Sequence, residues 1–109
     1  MLDVAYCAGL IDGEGCFYVH HAINTHQVLM HLIVMMADYN PVANLQHTFG
    51  GRVSPLKRAG KLHYRWVLCS DNAASATKEL MRFLQGKREQ AELFSLLSSL
   101  ERALHGAKS

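Results

Sequence analysis

Two acidic residues lie at the end of the first apolar segment, in the stretch YCAGLIDGEG that spans residues 6–15. Its composition is typical of a helix, and the glycines that separate and follow Asp12 and Glu14 predict that the helix ends there. The unpaired carbonyl groups at a helix C-terminus repel carboxylates. Two acids at this position therefore cost stability, and such a cost in the most distinctive stretch of the sequence indicates a functional rather than a structural site.

The same segment carries small residues at helical spacing, which would let a second helix backbone approach closely. The members of this stripe are Ala5, Ala8, Gly9 and Asp12. The stripe could equally pack against the core of its own chain, and the spacing leaves both alternatives open.

The composition indicates a soluble globular protein. Half of the 109 residues are hydrophobic, which is enough for a core and predicts one domain over residues 1–109. A net charge of +2 is compatible with a nucleic-acid partner without being diagnostic of one. Three widely spaced cysteines favour a reducing, intracellular compartment, which could be cytoplasm, nucleus or an organelle. The apolar run VLMHLIVMMA is too short to span a bilayer, so we expect no membrane partner.

The pattern of the whole chain predicts the element order α-β-β-α-β-β-α-α. We expect helices over residues 2–11, 38–50, 70–84 and 87–104, and strands over 15–23, 27–36, 51–58 and 61–70. Residues 59–60 predict a tight turn in the second hairpin, and Pro55 indicates an edge strand. Two hairpins separated by a helix form an α+β fold, in which helices cover one face of a four-stranded antiparallel sheet.

Strand alternation places polar and cationic side chains on the uncovered face of this sheet. The set comprises Tyr18, His20, Gln27, His31, Arg52, Ser54, His63 and Arg65, extended by the turn residues Lys57, Arg58 and Lys61. Such side chains read bases in the major groove of DNA and contact phosphates. The alternative is an ordinary solvated face. Leu29, Ile33 and Val67 interrupt the polar surface, and a register error of one residue would invert the assignment.

The segment CAGLIDGEG, with CFYV after it, resembles the nine-residue signature of the LAGLIDADG homing endonucleases. Cys7 stands for the first leucine of the signature, and Gly13 and Glu14 stand for its Ala-Asp pair. Further along the chain, FGGRV, YRWVL and FLQGKREQ fall where single-motif members have their equivalents. The resemblance covers essentially the whole chain and implies the family's αββαββαα fold with a saddle-shaped sheet.

The resemblance also implies roles for individual residues. Glu14 takes the place of the metal-binding acid, and Gly13 that of the residue whose backbone carbonyl faces the metal, expected to be Mg²⁺ or Mn²⁺. Asp12 matches an acid that is usually structural. Lys87 matches a lysine that orders the water network and stabilises the charged phosphate; the alternative is a lysine at a helix start that serves only solubility.

Single-motif members of the family are homodimers, in which two motif helices pack across a two-fold axis. Here the contact would use Ala5, Ala8, Gly9 and Asp12, and it would bring two copies of Glu14 together, where only a cation offsets their repulsion. The expected substrate is a long, pseudo-palindromic DNA site, cut on both strands to leave short 3′ overhangs. The expected source is a mobile intron or intein.

One departure from the family concerns Met36, at a position where some members carry a polar side chain that orients the attacking water. Gln27, Tyr39 or solvent would have to replace that side chain, or else catalysis is slow or lost. This departure favours an alternative function, a non-cleaving binder on the same fold that acts as an intron RNA maturase or a DNA-binding regulator. A dimeric scaffold unrelated to nucleic acid is a third alternative.

Overall fold

The computed structural model describes residues 4–22 and 27–105 of the chain. The helices are α1 (Val4–Glu14), α2 (Tyr39–Phe49), α3 (Ser70–Met81) and α4 (Arg88–His105). The strands are β1 (Gly15–Ala22), β2 (Gln27–Met36), β3 (Arg52–Arg58) and β4 (Lys61–Cys69). The predicted element order is confirmed, and the starts of β1 and β2 match the prediction to the residue.

The four strands form one antiparallel sheet in the order β1-β2-β4-β3. The edge position of β3 confirms the interpretation of Pro55, because proline lacks the amide that a second neighbour would need. Ala59 and Gly60 both have positive φ, at 52° and 79°. This pair gives the tight β3–β4 turn a twist that matches the flanking strands.

The core lies between the helices and one face of the sheet. Leu32, Val34, Trp66 and Leu68 on the two central strands are buried on this face. They belong to one cluster with Ile11 of α1, Val42 and Leu45 of α2, Ala73, Ala76 and Leu80 of α3, and Phe94 of α4. Leu62, which the alternation predicts to be buried, is 49% exposed because it lies beside the hairpin turn, next to Lys61. The predicted assignment of residues to the two sheet faces is otherwise correct apart from Lys57, although Val19 on the helix side of β1 is 41% exposed.

The end of α1 differs from the prediction. The helix does not stop at Ile11 but continues to Glu14, so both acids belong to its last turn. Gly13 therefore does not terminate the helix. Gly15 has a different role: a Cβ there would lie 2.6 Å from Ile11 Cγ2 and 2.7 Å from the Ile11 carbonyl oxygen. Glycine at this position permits β1 to leave α1 in close contact with its last turn.

The two C-terminal helices also differ from the prediction. α3 ends at Met81 rather than Leu84, although Leu84 is buried and anchors the α3–α4 link (residues 82–87) to the core. On α4 the core side is formed by Ala91 and Phe94, with Leu97 packed beside them. The outer side carries leucines that are each more than half exposed, namely Leu93, Leu96, Leu100 and Leu104. Helical spacing in the sequence also predicts Gln90, Leu100 and Leu104 on the same side as Phe94 and Leu97, but of these five only Phe94 and Leu97 reach the core. None of the described helices has the length and apolar composition that crossing a bilayer requires.

Candidate active site

The C-terminal end of α1 is open to solvent. Glu14 is exposed, and so is Gly13, where an added Cβ would meet no atom within 4 Å. The end of the motif helix is therefore free to approach a ligand or a second copy of the chain.

Lys87, although distant in the sequence, lies at the same end of α1. Its Nζ donates a hydrogen bond to the Asp12 carbonyl oxygen at 2.9 Å, across a separation of 75 residues. An ammonium group at a helix C-terminus is favourable because it satisfies an unpaired carbonyl and complements the negative end of the helix dipole. Lys87 therefore lies at the turn of α1 that carries Glu14, the other residue predicted to be catalytic.

The Asp12 carboxylate faces its own chain. Its Oδ2 accepts a hydrogen bond from the Gln85 amide at 2.9 Å, and its Oδ1 accepts one from the Lys87 amide at 2.9 Å. Lys87 precedes α4, and its carbonyl accepts the first bond of that helix from the Ala91 amide. Asp12 therefore caps α4 from a distant helix, which explains why an acid is tolerated at the end of α1. The structural role implied for Asp12 fits this arrangement, and the contact with Gln85 was not predicted.

The donors at this end of α1 suit a hard cation, but one chain offers few of them. Within residues 4–22 and 27–105, no group of three or more His, Cys, Asp or Glu side chains is placed to hold a metal ion. Both carboxylate oxygens of Asp12 are engaged with the α3–α4 link. This leaves the Glu14 carboxylate and the Gly13 carbonyl, both oxygen donors of the kind that Mg²⁺ takes, whereas Mg²⁺ needs about six ligands. The residues fit a magnesium site only if a second chain and water complete it.

The small-residue stripe of α1 is divided between two environments. Ala5 and Gly9 are exposed, as predicted for a dimer contact. Ala8 is fully buried in the core of its own chain beside Cys7 and Ile11, so its assignment to the dimer interface is wrong. Asp12 is half-buried by its contacts with the link rather than lying on the open side of the helix. The exposed side of α1 consists of Ala5, Gly9 and Gly13, four residues apart, with the half-exposed Tyr6 beside them.

The uncovered face of the sheet carries nearly all of the predicted nucleic-acid-binding residues. Pairing in register places on this face Tyr18, His20, His31, Arg52, Ser54, Arg58, Lys61, His63 and Arg65. Position 27 pairs with position 22 at the far end of β2, and its side chain lies outside the described set. The assignment of Lys57 to this face is wrong, because Lys57 pairs with Leu62 and so belongs to the helix side at the hairpin tip.

Within this face polar side chains lie on both sides of an apolar row, and one cavity extends across the row. Tyr18 lies with its ring centroid 6.2 Å from His20 and 5.8 Å from His31. A shallow cavity of about 610 Å³ gathers His31, Arg52, Ser54 and Arg65, together with Cys69 and Asn72, which were not predicted. The apolar row consists of Cys16, Ile33 and Val67, which pair across three strands and continue to Arg52. The face is a cationic and hydrogen-bonding surface with an apolar centre.

Met36 is half-buried against the core, so its position supplies no polar group. Gln27 cannot replace it, because the two lie at opposite ends of a ten-residue strand, about 30 Å apart. Tyr39 follows β2 by three residues, is half-exposed, and stacks edge-on against Tyr64 with ring centroids 5.1 Å apart. Of the three substitutes named for a polar side chain at position 36, Tyr39 and solvent remain.

No protein-family model and no curated protein matches the sequence. The structure, however, is similar to several solved ones. I-CvuI, solved in complex with the I-CreI target in the presence of Mg with the DNA not cleaved, superposes with a TM-score of 0.72 at 21% identity over 90% of this chain. The homing endonuclease I-TnaI gives a TM-score of 0.71 at 25% identity over 95% of this chain. The LAGLIDADG meganuclease I-AabMI, bound to uncleaved DNA, gives 0.73 at 21% identity over 94%.

These proteins are longer than the present chain, which spans 66% of I-CvuI, 77% of I-TnaI and 38% of I-AabMI. The superposed part contains almost all of the sheet and helices described above. The resemblance drawn from the motif is thereby confirmed: the chain has the fold of the LAGLIDADG homing endonucleases.

Proposed function

We propose that this chain is one subunit of a site-specific homing endonuclease that makes a double-strand break in a long, pseudo-palindromic DNA site. The observation that carries the proposal is the bond from Lys87 Nζ to the Asp12 carbonyl oxygen in the last turn of α1, the turn that also carries the exposed Glu14, although Lys87 lies far away in the sequence. A carboxylate and an ammonium group at one open helix end are suited to phosphodiester hydrolysis, which needs both a metal ligand and a cation beside the phosphate.

DNA is the proposed substrate because of the uncovered sheet face. Arg52 and Arg65 have the fork geometry that recognises guanine, and they lie with Ser54 on neighbouring strands. Arg58 and Lys61 lie at the hairpin tip, where a cation contacts the phosphate backbone. The DNA bound in the structures of I-CvuI and I-AabMI supports this assignment.

The proposed enzyme is a homodimer in which two copies of α1 pack through Ala5, Gly9 and Gly13. These residues present almost no side chain, so two helix backbones can approach closely there. Pairing of this kind brings both copies of Glu14 to the two-fold axis and joins the two sheets into a continuous surface for DNA. The DNA site should therefore be an approximate palindrome.

Two copies of Glu14 and of the Gly13 carbonyl would hold Mg²⁺ or Mn²⁺, completed by water. When bound, such an ion activates a water molecule and stabilises the leaving 3′ oxygen. The presence of Mg and Ca in two structures of I-CvuI is consistent with this requirement. The Lys87 ammonium group would offset the negative charge that builds up on the phosphate during hydrolysis.

Cleavage of a selected target tests the proposal. Double-stranded sites that bind the protein are first selected from a random DNA library, and they are then incubated with the protein with and without Mg²⁺. We expect breaks only with Mg²⁺, and we expect Glu14→Gln to lose cleavage while retaining binding. The matched control Glu79→Gln, which changes an exposed glutamate of α3, should cleave normally.

The second candidate function is a non-cleaving binder of DNA or intron RNA, and the half-buried Met36 is the observation that favours it. A binder predicts Mg²⁺-independent binding with no break at any protein concentration. Preference for the RNA of the host intron over double-stranded DNA would identify a maturase. Tight binding to DNA alone would identify a regulator.

A further inference from the structure

We infer that Asp12 is a positioning residue that fixes Lys87 at the active-site end of α1. This inference rests on the proposed function, because it gives Lys87 a catalytic role. It assigns to Asp12 an effect on the reaction through Lys87, in addition to its effect on folding.

A single residue holds both ends of Lys87. The Asp12 carboxylate accepts from the Lys87 amide, and the Asp12 carbonyl oxygen accepts from Lys87 Nζ, both at 2.9 Å. The same turn of α1 therefore holds both the backbone and the ammonium group of Lys87 in place. Glu14 follows Asp12 by two residues in that turn, so the clamp also sets Lys87 relative to Glu14.

The Asp12 carboxylate holds the backbone of the α3–α4 link in its path. Backbone bonds continue α3 as far as Leu84, whose amide donates to the Leu80 carbonyl at 3.1 Å. Beyond that point the amides of Gln85 and Lys87 donate to Asp12. Gly86 lies between these two residues, and a Cβ there would be in ordinary van der Waals contact with Asp12 Oδ1, at 3.8 Å. Removal of the carboxylate leaves two amides of a non-helical segment without their acceptor and releases the residue that carries the ammonium group.

A purely structural clamp and a positioning clamp predict different results. Loss of a structural contact lowers stability and slows cleavage to the same extent whether or not Lys87 is present. Loss of a positioning contact slows cleavage only through Lys87, so the two substitutions are not additive. Misplacement of a catalytic group by about 1 Å costs up to about 10²-fold in rate.

The test is a double-mutant cycle on single-turnover cleavage of the selected site, measured well below the melting temperature of every variant. We expect Asp12→Ala to slow cleavage by roughly tenfold to hundredfold with little change in DNA affinity. In the Lys87→Ala background the same substitution should change the rate by less than about twofold. Asp12→Asn, which keeps one acceptor oxygen, should give an intermediate rate. Asp71→Ala, which removes the exposed contact with Arg102 at 3.0 Å, should leave the rate unchanged.

Hydrogen exchange provides a second measurement that does not depend on cleavage. The amides of Gln85 and Lys87 should exchange faster in Asp12→Ala than in the wild type, by a larger factor than amides in the core of β2, which follow the global stability. Additive losses of rate in the cycle, or unchanged exchange at Lys87, would overturn the inference. Tight DNA binding without cleavage by the wild type would instead contradict the proposed function, and the exchange measurement separates the two failures.

Discussion

Lys87 donates from its ammonium group to the carbonyl oxygen of Asp12 at 2.9 Å, and its own amide donates to the Asp12 carboxylate. These bonds join the C-terminal turn of α1 to the N-terminus of α4. Both segments benefit, because a cation meets an unpaired carbonyl at the end of α1 and an anion meets the amides of Gln85 and Lys87 just before α4. The candidate site therefore consists of two segments that are distant in the sequence, the end of α1 and Lys87.

A bulky side chain at Gly9 should separate the proposed dimer without unfolding the chain. Gly9 is exposed and an added Cβ meets no atom within 4 Å, so Gly9→Leu fits the folded chain. It also has a better helix propensity than glycine. Analytical ultracentrifugation should show dimerisation weakened by at least about tenfold, because the two helix backbones can no longer approach closely. The control Ser75→Leu adds the same side chain to an exposed position of α3 and should leave the dimer intact. An unchanged dimer in Gly9→Leu would place the interface elsewhere.

The two glycines that flank Glu14 should differ in their effect on stability. Gly15→Ala forces a Cβ to within 2.7 Å of the Ile11 carbonyl and should lower the free energy of unfolding by about 1–3 kcal/mol. Gly13→Ala meets open space within one chain and should cause no loss when it is measured in the Gly9→Leu background, which separates the proposed dimer. Urea denaturation at equal protein concentrations measures both. Equal destabilisation by the two substitutions would contradict the close contact between α1 and β1.

Two cations on the uncovered sheet face should contribute differently to DNA binding. Arg65 pairs with Ser54 and Met35 inside the face, so Arg65→Ala should reduce discrimination between bases by about 1–3 kcal/mol. Lys61 lies at the hairpin tip, so Lys61→Ala should weaken binding to all sequences alike and lower the salt slope by about 1. Binding to a panel of single-base variants at several salt concentrations distinguishes the two. If Arg65→Ala weakened binding to every sequence equally, Arg65 would contact only phosphate and would read no base.

Much of the fold could be predicted from the sequence because its signals are local. Alternating apolar residues set the register of β2, and the Ala59-Gly60 pair set the turn after β3. The prediction failed at the end of α1. Gly13 has the composition of a helix stop, yet α1 continues past it, and Gly15 is set by its distance to Ile11.

The candidate site could be predicted only in part for the same reason. The motif resemblance singled out Glu14 and Lys87, but the pairing of Asp12 with the Gln85 amide spans 73 residues and leaves no local pattern. The small residues of α1 recur at helical spacing on two sides of the helix. Only the packed structure distinguishes Ala8, which faces the core, from Gly9, which faces outward.

The central claim is that Glu14 from two chains completes one catalytic centre. It is tested most directly by mixing wild-type chains with increasing fractions of Glu14→Gln chains, allowing subunits to exchange, and measuring the rate at which single strands of the target are nicked. A shared centre predicts that the nicking rate falls with the square of the wild-type fraction. A nicking rate that falls in direct proportion to the wild-type fraction would mean that each chain carries a complete centre, and it would contradict the account.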